Sequence, residues 1–237
     1  MAFLRSLAFA LALIVITPPY SIIALATFAL PPLARYRIIS GWARTVIVLA
    51  RVILGIRYRV RGHEHLPNRP AIILSKHQSA WETMAFQIIF PPHVQVLKRE
   101  LLWIPFFGWG LALMSPIAID RGRGRISLKR MAEQGALRLA RGFSIVIFPE
   151  GTRVAPGKRG KYHLGGAWIA IRTGATVVPV AHNAGLVWSR NAFIKRPGLV
   201  TVEIGEPIDP ANLTPDALTA KVEEWIENRM KELCPKE

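Results

Sequence analysis

The sequence predicts an α/β fold, a mixed and largely parallel sheet flanked by helices, behind an N-terminal apolar helical membrane anchor. Three observations lead there. Residues 6–34 carry no charge. From residue 57 on, short apolar runs rich in β-branched residues alternate with stretches of helical period. Several of these runs are apolar on both faces, as strands are when helices cover a sheet on each side.

The anchor comes first. Ser6 to Ile16 is almost wholly apolar, Thr17-Pro18-Pro19 comes next, Tyr20 to Leu30 is apolar again, and Pro31-Pro32 closes the run. A spanning helix needs about 20 apolar residues, which the whole run supplies, but a proline pair in its middle removes backbone donors and kinks or ends a helix. Two readings stand: one kinked span, or two short helices dipping into one leaflet. A cleaved signal peptide ending near Ala24-Leu25-Ala26 competes with both. Gly41 to Ile56 then reads as an interfacial helix. Its Arg44 and Arg51, seven residues apart, share a helical face, and Arg35, Arg37, Arg57, Arg59 and Arg61 flank it. Basic flanks place the remainder of the chain on the cytoplasmic side of a cytoplasmic membrane, held by a monotopic or single-pass anchor. The boundary expected from this is 1–56 for the anchor and interfacial helix, and 57–237 for the folded domain.

Strands are expected at Arg57–Val60, Ala71–Leu74, Val94–Leu97, Ile117–Ile119, Ser144–Phe148, Thr176–Ala181 and Val200–Ile204. Helices are expected at Ser79–Ile89, Ile126–Ala140, Gly165–Arg172 and Pro215–Leu233. In such sheets ligands bind outside the carboxyl ends of the strands.

Charge sets the partner class. The 237 residues carry a net charge of +16, yet no acid precedes Glu64, and residues 203–237 hold nine of the fifteen acids. The positive charge therefore lies at the front and middle, beside the apolar runs. That favours an anionic membrane surface over nucleic acid. Cys234 is the single cysteine, so no disulfide forms within the chain.

Charged residues come directly after three of the expected strands. After Ala71–Leu74 comes Ser75-Lys76-His77-Gln78-Ser79-Ala80-Trp81-Glu82. On a regular helix His77 and Glu82 lie roughly 140° apart. They meet only if His77 is in the loop and Glu82 is in the first turn of the next helix. There the carboxylate would fix the imidazole's tautomer and strengthen it as a base. Alternatively Ser79-x-x-Glu82 is just a capping box, although that leaves His77 unexplained. Phe148-Pro149-Glu150-Gly151-Thr152-Arg153 is either a plain turn or a phosphate cradle with a bidentate Arg. Pro116-Ile117-Ala118-Ile119-Asp120-Arg121 ends a strand in a charged pair that solvation alone could explain.

Taken together and in order, His77/Glu82, Asp120-Arg121, Phe148–Arg153 and Val178-Pro179-Val180 resemble the glycerophospholipid acyltransferase family, of the 1-acylglycerol-3-phosphate acyltransferase type, over about residues 57–205. Two positions depart from the family pattern: its usual Asp is Glu82 here, and Lys76 stands where Asn often precedes the His. The resemblance implies an acyltransferase domain over 57–237 that moves a fatty acyl group from acyl-CoA or acyl carrier protein to the sn-2 hydroxyl of 1-acylglycerol-3-phosphate. It implies His77 as general base and Glu82 as its orienter. Arg121, Glu150, Gly151, Thr152 and Arg153, with Lys98, would form the acceptor's phosphate site. It implies no metal and no cofactor beyond the thioester co-substrate, with membrane lipid and a lysophospholipid as partners, acyl carrier protein as a candidate partner, and no nucleic acid.

Missing signals narrow the chemistry. No Gly-x-Ser-x-Gly elbow is present. Gly151 to Gly157-Lys158-Arg159 lacks Walker spacing and the hydroxyl after Lys. His63-Glu64-His65 sits by a Pro-Asn turn without a partner cluster and reads as surface. His93, His163 and His182 read as structural or exposed. Two competitors remain: an acyltransferase for another lysolipid such as a lyso-aminolipid, and a non-catalytic membrane-surface protein. The second has no use for an oriented imidazole.

Overall fold

The structure, a computed structural model, describes residues 1–119 and 124–235. Helix α1 (Ala2–Ala26) passes through Pro18-Pro19 without a break. Of the two sequence readings, a single helix is the one that forms, and its neighbour explains why. Trp42 Nε1 donates to Thr17 Oγ1 at 3.3 Å, and the hydroxyls of Tyr20 and Thr45 bond at 2.8 Å. These contacts brace the turn where proline deletes backbone bonds. Helix α2 (Pro32–Leu49) uses Pro32 as its first residue, where the missing N–H costs nothing. It continues as a wider-wound turn, Ala50–Leu54, and stops at Gly55 in the left-handed region (φ +72°). The interfacial helix expected from Gly41 is thus the second half of a longer one. Arg44, Val48, Arg51 and Val52 lie on its exposed side.

The strands are β1 (Ile56–Arg61), β2 (Ile72–Ser75), β3 (His93–Lys98), β4 (Ile117–Ile119), β5 (Ser144–Ile147), β6 (Val177–His182) and β7 (Gly198–Ile204). Among the described residues they form one sheet in the order β1-β7-β6-β2-β5-β3-β4. All neighbours are parallel except β6 and β7. The carboxyl ends of β6, β2, β5, β3 and β4 therefore share one edge.

Alternate side chains along the central strands feed two cores. Ile73, Val146, Val178 and Val180 face α1, α2 and α3 (Trp81–Ile89). Ile72, Leu74, Ile145, Ile147 and Val177 face α5 (Gly124–Ala140), α6 (Gly165–Thr173) and α8 (Pro215–Leu233). This is the two-faced burial expected of a covered sheet, worth about 2 kcal/mol for each fully buried aliphatic side chain. The first core crosses the 56/57 boundary. Phe9, Val46, Ala50 and Leu54 pack in the same cluster as Val200 and Val202. The N-terminal segment therefore also supplies part of the helical layer over the sheet. Its outward side remains apolar, with Ile14 68% and Val15 70% exposed.

Two short helices were not legible beforehand. Helix α4 (Phe107–Leu113) carries Gly108 and Gly110 behind Pro105, a pattern that reads as a turn. Helix α7 (Ala184–Val187) is a single turn.

Candidate active site

Strand β2 ends at Ser75, and Lys76-His77-Gln78-Ser79-Ala80 bridges to α3. The bridge is clamped to the loop after β5 from both sides. His77 N donates to Glu150 Oε2 at 3.0 Å, and His77 O accepts from Val154 N at 2.8 Å. The imidazole lies flat on Phe148, centroids 4.0 Å apart and planes 18° apart. With Glu82 in the first turn of α3, His77 Nδ1–H donates to Glu82 Oε1 at 2.8 Å. In the neutral ring this leaves Nε2 as the unprotonated nitrogen.

Glu82 Oε1 also accepts from Gln78 N at 2.9 Å and Ser79 N at 2.8 Å. The capping box and the imidazole holder, separate readings of the sequence, are one carboxylate. Ser79 takes a different part from the N-cap expected: its hydroxyl accepts from Trp81 N at 3.1 Å, and the helix begins at Trp81. Burial alone would raise the Glu82 carboxyl. His182, His77 and the Ser79 N–H outweigh burial and hold it below the ordinary carboxylate range. His182 lies behind the pair, its Nε2 4.0 Å from Glu82 Oε1. It donates from Nε2 to Lys76 O at 2.8 Å and accepts at Nδ1 from Ala184 N at 3.3 Å. Burial pushes its pKa down, against the pull of the neighbouring Glu82 carboxylate. The ring supports the bridge as a hydrogen-bonding strut.

In the second loop Gly151 adopts φ +66° and its N–H closes a turn onto Phe148 O at 2.9 Å. Any other residue there would be strained. Thr152 is exposed and Arg153 half-buried, with Arg153 O accepting from Arg190 Nη1 at 2.9 Å. The structure turns Glu150 inward. It is buried, one oxygen on Lys76 Nζ (2.7 Å) and the other on His77 N. From there its carboxylate supports the base from behind; it does not face the solvent beside Arg153. Lys98 ends β3 with an exposed side chain. It lies two strands from β2, roughly 10 Å across the sheet. Asp120 and Arg121 lie outside the described residues; they come directly after Ile119, the last residue of β4.

The sheet thus brings His77, Glu82, Phe148 and Glu150 into contact at one edge, with Gly151, Thr152, Arg153 and Lys98 on that same edge. The sequence assigned no part to Tyr162 or Glu227, and none beyond a structural one to His182. Lys76 stood out only as a departure. Chemically, the arrangement is an imidazole whose Nε2 is left unprotonated, held in one tautomer by a buried anion, beside the turn that carries Gly151, Thr152 and Arg153.

The acyltransferase family model matches residues 57–183. The chain is 47% identical over 210 residues to the 1-acyl-sn-glycerol-3-phosphate acyltransferase of Pseudomonas aeruginosa, covering 87% of this chain and 82% of that one. It is 30% identical over 186 residues to the mouse 1-acyl-sn-glycerol-3-phosphate acyltransferase alpha, covering 75% of this chain and 64% of that one. The fold is similar to the crystal structure of the 1-acyl-sn-glycerophosphate acyltransferase of Thermotoga maritima, with a TM-score of 0.81, 23% identity, and 99% and 96% of the two chains covered.

Proposed function

The chain belongs to the acyltransferase family, and from that premise we propose that it acylates the sn-2 hydroxyl of 1-acylglycerol-3-phosphate, giving phosphatidic acid in phospholipid synthesis. The observation that carries this reading is the pair His77 Nδ1–Glu82 Oε1 at 2.8 Å, with Nε2 left free. A hydroxyl is a weak nucleophile and needs a base, whereas a thioester already holds a good leaving group. His77 Nε2 takes the hydroxyl proton as the oxygen attacks the thioester carbonyl. The imidazolium this creates is stabilised by the buried Glu82 anion. When the tetrahedral adduct collapses, the C–S bond breaks and the departing thiolate takes the proton from His77. Both substrates are then bound together and no acyl-enzyme forms, so the kinetics are sequential.

The donor is acyl-CoA or acyl carrier protein. Arg153, Gly151, Thr152 and Lys98, with Arg121, would hold the acceptor phosphate, Arg bidentately. A membrane-bound setting is supported by the apolar outer side of α1 and by Trp103, Ile104, Phe106 and Trp109, all exposed beside it; the arginines that flank the apolar run favour an active site toward the cytoplasm. Purified protein in detergent, given one thioester donor and a panel of lysolipid acceptors, tests the assignment. Transfer should be fastest to 1-acylglycerol-3-phosphate. Faster transfer to a lyso-aminolipid would reassign the acceptor, and no transfer to any would remove the activity.

A further inference from the structure

We infer that the C-terminal helix positions the catalytic base: Glu227 of α8, steadied by Tyr162, holds the His77 peptide in register through Lys76 and Glu150. The inference rests on the reading of His77 as the base.

Lys76 and His77 are consecutive residues leaving β2, so their side chains depart to opposite faces of the sheet. His77 turns toward α3 and Glu82. Lys76 turns toward α8, where it is 1% exposed. Its three N–H donors are all spent, on Glu150 Oε1 at 2.7 Å, Glu227 Oε1 at 2.7 Å and Lys158 O at 3.2 Å. The second oxygen of Glu150 accepts from His77 N at 3.0 Å. Tyr162 OH donates to Glu227 Oε1 at 2.8 Å and fixes that carboxylate. A continuous chain of charged hydrogen bonds therefore runs from α8 to the peptide of the base. One turn earlier on α8, Glu223 bonds Arg159 Nε at 2.8 Å, so the segment 158–162 is tied to the helix twice. The base is held from both layers, by α3 through its ring and by α8 through its backbone.

Stability alone is a poor account of this cluster. Desolvating an ammonium and two carboxylates often costs as much as their attraction returns, and well-packed apolar residues of the same volume commonly serve as well or better. What charged, directional bonds supply and apolar contacts do not is a fixed orientation. Here the group being oriented is the peptide that carries the imidazole.

The test uses the full chain in detergent. Glu227→Gln should lower kcat roughly tenfold or more, with the KM of acceptor and donor unchanged. Tyr162→Phe should do the same more weakly. Cys234, the sole cysteine, is buried at the C-cap of α8, so its rate of labelling by a thiol reagent reports whether the helix stays docked. It should remain protected in both variants. Lys76→Met should be worse than Glu227→Gln, because it leaves the buried Glu150 and the half-buried Glu227 carboxylates facing each other, and the double variant should recover part of that loss. Wild-type kcat in Glu227→Gln, with His77→Ala inactive, overturns the proposal and leaves the base in place. A kcat loss that appears only with rapid Cys234 labelling also overturns it, since the cluster would then be holding the helix and not the base. An active His77→Ala would strike at the base itself, and the proposal would go with it.

Discussion

Replacing Glu82 by Gln removes one charge and keeps the side-chain length. The carboxylate is fully buried and one oxygen accepts from His77 Nδ1, Gln78 N and Ser79 N. The other oxygen has no partner among the described residues, so the Gln amide would put its NH₂ where nothing accepts it. The larger effect is on the reaction. When His77 takes the acceptor's proton, the imidazolium and the Glu82 carboxylate become two unit charges about 4 Å apart. At an effective dielectric constant of about 20 their attraction is about 4 kcal/mol. Losing it raises the barrier by up to that amount, about 10³-fold in kcat. Glu82→Asp should retain partial activity and Glu82→Ala should be the worst of the three. The assay is the initial rate of labelled acyl transfer at saturating substrates, with thermal unfolding as the check on folding. A folded Glu82→Gln protein with kcat within a few-fold of wild type would show that the anion does not stabilise the imidazolium, and Glu82 would revert to a helix cap.

Three further outcomes are expected. Arg153→Ala and Arg121→Ala should raise the acceptor's KM more than the donor's, and Arg153→Lys should also be impaired because an ammonium cannot form the bidentate contact; equal affinity for a dephosphorylated acceptor contradicts this. His93 is buried at 1% exposure, and burial pushes its imidazole down to about 4. An unfolded chain binds that proton from about pH 6.5 downward while the native protein does not, so stability should fall by about 1.4 kcal/mol per pH unit as pH is lowered between these values. His93→Gln should flatten the slope of Tm against pH from 7 to 5, and an equal slope in both proteins refutes the assignment. On α1, Phe9 is fully buried and edge-on to Trp188 at 5.3 Å, so Phe9→Ala should cost about 3–5 kcal/mol. The outward pair Ile14→Asn/Val15→Asn should leave Tm unchanged and weaken binding to anionic vesicles; unchanged partitioning would move the membrane contact elsewhere.

Legibility in the sequence depended on how local each signal is. The central strands were legible because Ile72–Leu74, Ser144–Ile147 and Val177–Ala181 are apolar on both faces, and that pattern is local. Pro31-Pro32 marked a break but concealed that Pro32 opens α2, since proline both ends and begins helices. The His77/Glu82 contact could be reasoned out because both residues flank one strand-to-helix turn. Glu150 was misleading for the opposite reason. In Pro-Glu-Gly a carboxylate reads as part of an exposed turn, and its inward direction is set by Lys76 and by Glu227, which come together only in the fold. Lys76 drew notice as a departure from the family pattern, yet its role depends on a helix 151 positions later. His182 likewise ends a strand that any sheet could contain, and only the strand order sets it behind Glu82.

The most direct test of the central claim is the rate of labelled phosphatidic acid formation by His77→Ala, measured beside wild type with 1-acylglycerol-3-phosphate and one thioester donor. With both proteins shown to be folded and both substrates saturating, the variant should turn over at least roughly 10²-fold more slowly. A folded His77→Ala enzyme that makes product near the wild-type rate would contradict the account at its base.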